Sequence, residues 1–275
     1  MGSDLSLADL QEILQRSREA AREAGKILME NYGKVQPQDV EEKSAFDFVT
    51  VVDRKAEAAI LEILSRYFPA HSVHAEESGR EDRSSEYQWL IDPLDGTKNY
   101  IHHFPVFSVS IGLKKGEEIL AGLVYAPALG EWFTAMKGHG AFLNGEPIRV
   151  SPVSRLEHSM VATGFPHAAK QFLDVYIETF RKIFLRVSAV RRAGSAALDL
   201  AYTACGRFEG FWEFKLNPWD IGAGILLVQE AGGIITDPLG GDRFFQTGDI
   251  VAGNPAIQPQ LLAMLKPICE GRLGW

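Results

Sequence analysis

Trp89-Leu90-Ile91-Asp92-Pro93-Leu94-Asp95-Gly96-Thr97-Lys98-Asn99 is the stretch on which the reading of this chain turns. Its apolar front predicts the end of a buried strand, because the run stops abruptly at an Asp-Pro pair. Asp92 is therefore expected at a strand's carboxyl end, with residues 93–99 forming a turn that opens a short helix. Such a turn gathers two carboxylates, a hydroxyl and backbone N–H donors. Hard divalent cations such as Mg²⁺ take oxygen ligands, and phosphate esters take both cations and N–H donors, so one turn supplies both needs. Read alone, Pro-x-Asp-Gly is ordinary surface-turn chemistry. The flanking sequence changes that balance.

Upstream, apolar residues recur at helical spacing (Leu7, Leu10, Ile13, Leu14, Ala21, Ala24, Ile27, Leu28) and predict an amphipathic helix over residues 5–31. Residues 43–47 read as a polar loop, 48–52 as a β-branched strand, and Asp53 as the cap of a helix reaching Phe68. A short strand then runs into the acidic turn Glu76-Glu77, and residues 79–88 read as a charged surface loop. His71 and His74 raise the question of zinc, but hard carboxylates surround them and soft ligands are absent, which argues against it.

Downstream, residues 107–113, 119–125 and 131–136 predict an antiparallel meander, with Asn144-Gly145 as a further hairpin turn. The pattern changes at residues 151–157. An α+β half, 1–150, there gives way to an α/β half, 151–275, the two packed as one compact unit. In the second half, strands at 159–163, 187–191, 207–214, 234–236 and 250–252 intersperse with helices at 168–184, 196–204, 218–231 and from 256 onward.

With 275 residues, 46% hydrophobic and 23% charged, the chain has material for a large globular core. A net charge of −8 argues against a general polyanion-binding surface, so nucleic acid is not the expected partner. Cys205 and Cys269 are too few for a disulfide framework, no signal-peptide pattern opens the sequence, and no apolar run approaches membrane-spanning length. The expected compartment is the cytoplasm, with no membrane partner.

Asp53, Glu76-Glu77 and the Asp92/Asp95 pair come at or just after predicted strand ends, and Asp220 at a predicted helix start. If these ends converge, their negative charge requires cations, and two metals can clamp the attacking and leaving oxygens of an in-line displacement. A covalent aspartyl-phosphate scheme is disfavoured. It needs Asp-x-Asp-Gly-Thr, whereas two residues separate Asp92 from Asp95 and rotate the second carboxylate away.

Asp92-Pro93-Leu94-Asp95-Gly96-Thr97-Lys98-Asn99, with Glu76-Glu77-Ser78 before it and Trp219-Asp220-Ile221-Gly222-Ala223-Gly224 after it, resembles the inositol monophosphatase family. Gly194-Ser195-Ala196-Ala197 and Glu230-Ala231-Gly232-Gly233 also fit, and the likeness extends over nearly the whole chain. The resemblance implies a layered α-β-α-β-α sandwich of the sugar phosphatase type, lithium-sensitive, Mg²⁺-dependent hydrolysis of phosphate monoesters, and a homodimer. It implies that Glu76, Asp92 and the Leu94 carbonyl hold one Mg²⁺, that Asp92, Asp95 and Asp220 hold a second, and that a weaker third lies by Glu76. Asp53, Thr97 and Glu76 would be catalytic, with Asp53 orienting Thr97 and the pair positioning the attacking water. Backbone N–H groups of Gly96 and Thr97 would hold the phosphate, and Asp95, Gly194, Ser195, Ala196, Glu213 and Asp220 would face the rest of the substrate.

Lys43 resembles a lysine on the family's mobile metal-site loop, with imperfect spacing. Lys98 and Lys215 depart from the family's pattern and bear on substrate identity more than on chemistry. The implied substrate is inositol monophosphate or a similar polyol or sugar phosphate. Alternatives are histidinol phosphate, fructose 1,6-bisphosphate, a nucleotide bisphosphate, or a regulatory role as a protein-binding subunit.

Overall fold

The computed structural model describes residues 5–44 and 47–274. It begins with α1 (Leu7–Asn31), whose first turn is closed by a reciprocal Ser6–Asp9 capping box. A two-stranded antiparallel ribbon, β1 (Val40–Ser44) and β2 (Asp47–Thr50), leads directly into α2 (Val51–Tyr67). The loop expected over residues 43–47 is thus partly strand, with residues 45 and 46 outside the described residues. Lys43 falls in β1, and its side chain is also outside them.

The large sheet contains β3 (Ser72–Ala75), β4 (Gly79–Glu81), β5 (Tyr87–Asp95), β6 (Ser108–Lys115), β7 (Glu118–Ala126), β8 (Glu131–Met136), β9 (Ala141–Leu143) and β10 (Glu146–Pro147), with the short helix α3 (Thr97–Ile101) between β5 and β6. Its spatial order is β10-β9-β8-β7-β6-β5-β3-β4. All neighbours are antiparallel except β3 and β5. Asn144 and Gly145 both take positive φ, 52° and 90°, as a two-residue type I′ hairpin requires.

The remaining elements are β11 (Met160–Thr163), α4 (Leu173–Phe184), β12 (Ala189–Arg191), α5 (Ala196–Ala204), β13 (Gly210–Glu213), α6 (Pro218–Glu230), β14 (Ile234–Thr236), α7 (Phe244–Thr247), β15 (Ile250–Gly253) and α8 (Gln258–Cys269). Their strands form a mixed sheet in the order β12-β11-β13-β15-β14.

Strand alternation builds three cores from these two sheets. On β5, Trp89 and Ile91 face the apolar sides of α1 and α2, while Leu90 faces α5 and α6. On β13 and β15, Phe211, Ile250 and Ala252 join that middle core, whereas Trp212 and Val251 face α4 and α8. The layers are therefore α1/α2, large sheet, α5/α6, small sheet and α4/α8: an α-β-α-β-α sandwich, as the resemblance implied. The aromatic cluster Phe211, Trp212 and Phe214 is fully buried packing.

The middle layer lies unusually close to the large sheet. A Cβ at Gly122 would stand 2.9 Å from the Ala223 carbonyl oxygen, and one at Gly222 would stand 2.6 Å from the Leu90 side chain. Glycines on both surfaces bring the start of α6 against the end of β5, and with it Asp220 toward Asp92.

Candidate active site

Asp53 lies at the start of α2, but not as its cap. Thr50 is the N-cap, and its hydroxyl accepts from the N–H groups of Val52 at 3.0 Å and Asp53 at 3.4 Å. Asp53 occupies the third helical position and closes the box, its Oδ2 accepting from the Thr50 N–H at 2.9 Å. The pattern Thr50-x-x-Asp53 carries this signal; the expectation placed the helix start three residues late. Capping occupies one Asp53 oxygen. The other, Oδ1, lies 3.1 Å from the Thr97 hydroxyl, which is also 3.1 Å from the Leu94 carbonyl. Burial pushes the Asp53 carboxyl up, while hydrogen bonds from Thr50 and Thr97 oppose that rise.

Strand β5 does not stop at Asp92, as its Asp-Pro pair suggested, but continues to Asp95. Asp92 pairs with Ser110 and Asp95 with Ser108, so β5 carries one residue more than β6 across this interval. Such a bulge accommodates Pro93, which has no N–H to give to a ladder. It also has a chemical consequence. In a regular strand, residues three apart point to opposite faces; here both Asp92 and Asp95 line one cleft. The Leu94 N–H returns to Asp92 Oδ1 at 2.9 Å. Gly96 then reverses the chain at φ 99° to cap α3, and a Cβ there would meet the Val106 carbonyl oxygen at 2.9 Å. Glycine is required on both counts.

The opposite wall is assembled from separate segments. Asp95 Oδ2 accepts from the Ser195 hydroxyl at 2.6 Å and the Ala197 N–H at 2.8 Å, tying the bulge to the N-terminus of α5. Asn99 donates to the carbonyls of Val106 at 2.7 Å and Ala193 at 2.8 Å, holding the loop that carries Gly194. Asp220, third residue of α6, accepts from the Asn217 N–H at 2.7 Å in a capping box whose N-cap is Asn217, with Pro218 as the first helical residue.

Together these walls enclose a cleft of about 380 Å³, lined by Glu76, Asp92, Leu94, Asp95, Gly96, Thr97, Gly194, Ser195, Ala196, Glu213 and Asp220, among others. Asp53 lies behind Thr97. Every described residue singled out from the sequence for this site is thus in the cleft or one contact away. Lys98, Arg192 and Lys215 add positive charge to the lining. Lys215 does not pair with Glu213; its ammonium is 3.1 Å from buried Asp249.

The electrostatics follow from burial and crowding. Asp92 is held well above the usual carboxylate range, first by burial and then by the charges of Glu76, Asp95 and Asp220. Burial and Asp95 do the same to Asp220. Asp95 is pushed up to about 6 by burial, against hydrogen bonds from Ser195 and Ala197. Glu213 is raised by burial and then by Asp199, Asp220 and Asp95, with Arg192 opposing.

Among the described residues, no three His, Cys, Asp or Glu side chains stand as a ready-made metal cage. Asp92, Asp95 and Asp220 instead each accept from a neighbouring protein donor. The donor chemistry nevertheless fits a hard divalent cation: carboxylates and a backbone carbonyl, no sulfur, and a mutual repulsion that positive charge relieves.

Of the buried acids not singled out beforehand, two bear on the site. Glu57, one helical turn after Asp53, grips the turn that carries Glu76. Asp199, in α5, has neither carboxylate oxygen hydrogen-bonded; burial and the charge of Asp95 raise it strongly. The i, i+4 spacing from Asp53 could have pointed to Glu57. Nothing in the sequence distinguishes Asp199 from an exposed helical aspartate.

The layered sandwich and its acidic cleft define the sugar phosphatase class of fold. The chain belongs to the inositol monophosphatase family, whose model matches residues 9–269. It is 43% identical over 264 residues to the fructose-1,6-bisphosphatase/inositol-1-monophosphatase of Aquifex aeolicus, covering 96% of this chain and 99% of that protein. It is 46% identical over 248 residues to the Nus factor SuhB of Escherichia coli K12, covering 90% and 93%. Among solved structures, the extragenic suppressor protein suhB of Bartonella henselae superposes with a TM-score of 0.90 at 43% identity, covering 93% of this chain and 98% of that one.

Proposed function

We propose that this protein is a Mg²⁺-dependent phosphomonoester hydrolase acting on inositol monophosphate or a similar polyol or sugar phosphate. Family membership and the names of relatives support a phosphatase. The observation that carries the finer reading is the β5 bulge, which turns Asp92 and Asp95 into one cleft with Glu76 and Asp220 and leaves Thr97 bonded to Asp53.

Glu76, Asp92 and the Leu94 carbonyl would hold one Mg²⁺, Asp92, Asp95 and Asp220 a second, and Glu76 would border a weaker third. Bound Mg²⁺ would neutralise the phosphoryl oxygens and lower the pKa of a water. The chain's own residues do the rest. When the Thr97 hydroxyl donates to Asp53, its oxygen remains free to accept from the attacking water and aim it at phosphorus. The N–H groups of Gly96 and Thr97 hold the phosphate, and Gly194, Ser195, Ala196 and Glu213 meet the substrate's hydroxyls.

In this reading the protein is cytoplasmic, lithium-sensitive and a homodimer. Its cysteines are free and no described helix is long and apolar enough to cross a membrane. Leu173, Ile177 and Phe184 form an exposed apolar stripe on α4, which supports self-association. Fructose 1,6-bisphosphate is a second substrate to test, given the Aquifex relative's name. The relative named as a Nus factor keeps a regulatory, protein-binding role in view.

Phosphate release should be measured from inositol monophosphate, fructose 1,6-bisphosphate, histidinol phosphate, a nucleotide bisphosphate and an aryl phosphate, with and without Mg²⁺. The expected outcome is Mg²⁺-dependent release, fastest from the polyol monophosphate and inhibited by Li⁺. No release from any of them would favour the regulatory reading.

A further inference from the structure

Glu57 and Asp53 are four residues apart on α2, so both side chains leave the same helix face. Asp53 reaches the turn that carries Thr97. Glu57 reaches the other acidic turn: Oε2 accepts the Glu77 N–H at 2.8 Å, and Oε1 the Ser78 N–H at 2.7 Å. Glu57 is 3% exposed and does not line the cleft. From the opposite side, the Glu76 N–H donates to the carbonyl of Ile91 at 3.1 Å, one residue before Asp92. The Glu76 turn is therefore fastened at two points, to β5 and to α2. Two charge-assisted bonds to consecutive N–H groups fix its orientation as well as its place.

We infer that Glu57 is a positioning residue: with Asp53 it makes one face of α2 a rest for the Glu76 turn and the Thr97 turn, and so sets how the Glu76 carboxylate meets a cation shared with Asp92. The inference rests on the proposed reading of Glu76 as a metal ligand. Glutamine has nearly the volume of glutamate but offers one acceptor and one NH₂ donor. In Glu57→Gln one of the two N–H groups loses its partner.

A matched control exists elsewhere in the molecule. Glu230 likewise uses both carboxylate oxygens, gripping the N–H groups of Gly138 and Gly140 at 2.7 and 2.8 Å at the turn between β8 and β9, away from the cleft.

The test uses Mn²⁺ as the probe, titrated into the metal-free full chain and counted by electron paramagnetic resonance, with amide hydrogen exchange followed at Glu77 and Ser78. Glu57→Gln should weaken Mn²⁺ binding about tenfold or more, as loss of a partner that orients a ligand commonly does. It should also speed exchange at the amide left without an acceptor, and turnover should recover at high metal concentration. Glu230→Gln should leave Mn²⁺ affinity unchanged even if it lowers the melting temperature as much. If Glu57→Gln binds Mn²⁺ like the parent while Glu76→Gln binds it weakly, Glu57 is merely structural and the inference is overturned. If neither variant is weakened, Glu76 is not a ligand, and the reading beneath the inference fails first. Should Glu57→Gln fail to fold, Glu57→Asp, which keeps both acceptors on a shorter stem, carries the same comparison.

Discussion

The two walls of the cleft are built in different ways. The wall from Asp92 to Asn99 is one continuous piece, braced largely by its own short-range bonds: the Leu94 N–H to Asp92, the Thr97 hydroxyl to Leu94, and the Tyr100 N–H to the Gly96 carbonyl. The facing wall brings together the loop before α5, the end of β13 and the start of α6, all far downstream of the first wall in sequence. It is fastened to the first wall through Asp95 and Asn99. In the proposed reading the continuous wall would supply, with Glu76 and with Asp220 from the other side, what any phosphate ester needs. The remaining residues of the assembled wall would contact the part of a substrate that differs between esters. Chemistry and selectivity should therefore separate under mutation.

The largest effect is expected at Asp92, which both proposed metal sites share. Asp92→Asn should abolish turnover on every ester, yet preserve or raise the melting temperature in EDTA, because it removes a buried charge crowded by Glu76, Asp95 and Asp220. Near-parental activity at saturating Mg²⁺ would break the assignment. Next comes Thr97→Ala, which should lower kcat roughly 10²-fold or more for polyol and aryl phosphates alike, as loss of an oriented proton-handling group does. An unchanged kcat removes Thr97 from the mechanism.

The assembled wall should behave otherwise. A hydrogen bond to a charged group is worth about 1.5–3 kcal/mol, so Glu213→Gln should cost about tenfold or more in kcat/KM for inositol monophosphate. An aryl phosphate, which lacks those hydroxyls, should lose little. Equal losses on both would mean that Glu213 supports the acidic cluster or the fold. Lys215, next but one in sequence, is engaged with Asp249 instead.

The smallest effect sharpens the comparison at the join. Asn99→Ala removes the bond to Ala193 that joins the walls and the local bond to Val106, each worth about 1 kcal/mol. It should lower the melting temperature by several degrees and raise KM for inositol monophosphate, with kcat for an aryl phosphate within about twofold of the parent. A matching fall in aryl phosphate kcat would show that the walls do not act separately.

What was legible in the sequence follows the same division. The five layers were implied by the family likeness, and several elements were legible in the pattern of the chain: α1 from its apolar recurrence, the meander of β6, β7 and β8 from its alternation, α6 from its apolar run. Local chemistry was less sharply read. Asp53 looked like a helix cap because the β-branched run before it concealed that Thr50 already ends the strand. Asp92 looked like a strand end because proline normally stops one, and a bulge is visible only once the partner strand supplies the other half of the count.

By itself the sequence determined which residues carry oxygen ligands, in what order, and the family to which they belong, because residue type and short-range spacing are properties of the chain. Only the tertiary structure decided that Asp92 and Asp95 share a face, that Asp220 reaches them across glycine-lined packing, and that Asp199 is buried close enough to feel the charge of Asp95. Those facts depend on register between strands and on the distance between layers. Both are set by contacts between residues tens to more than a hundred positions apart, and no local pattern in the chain encodes them.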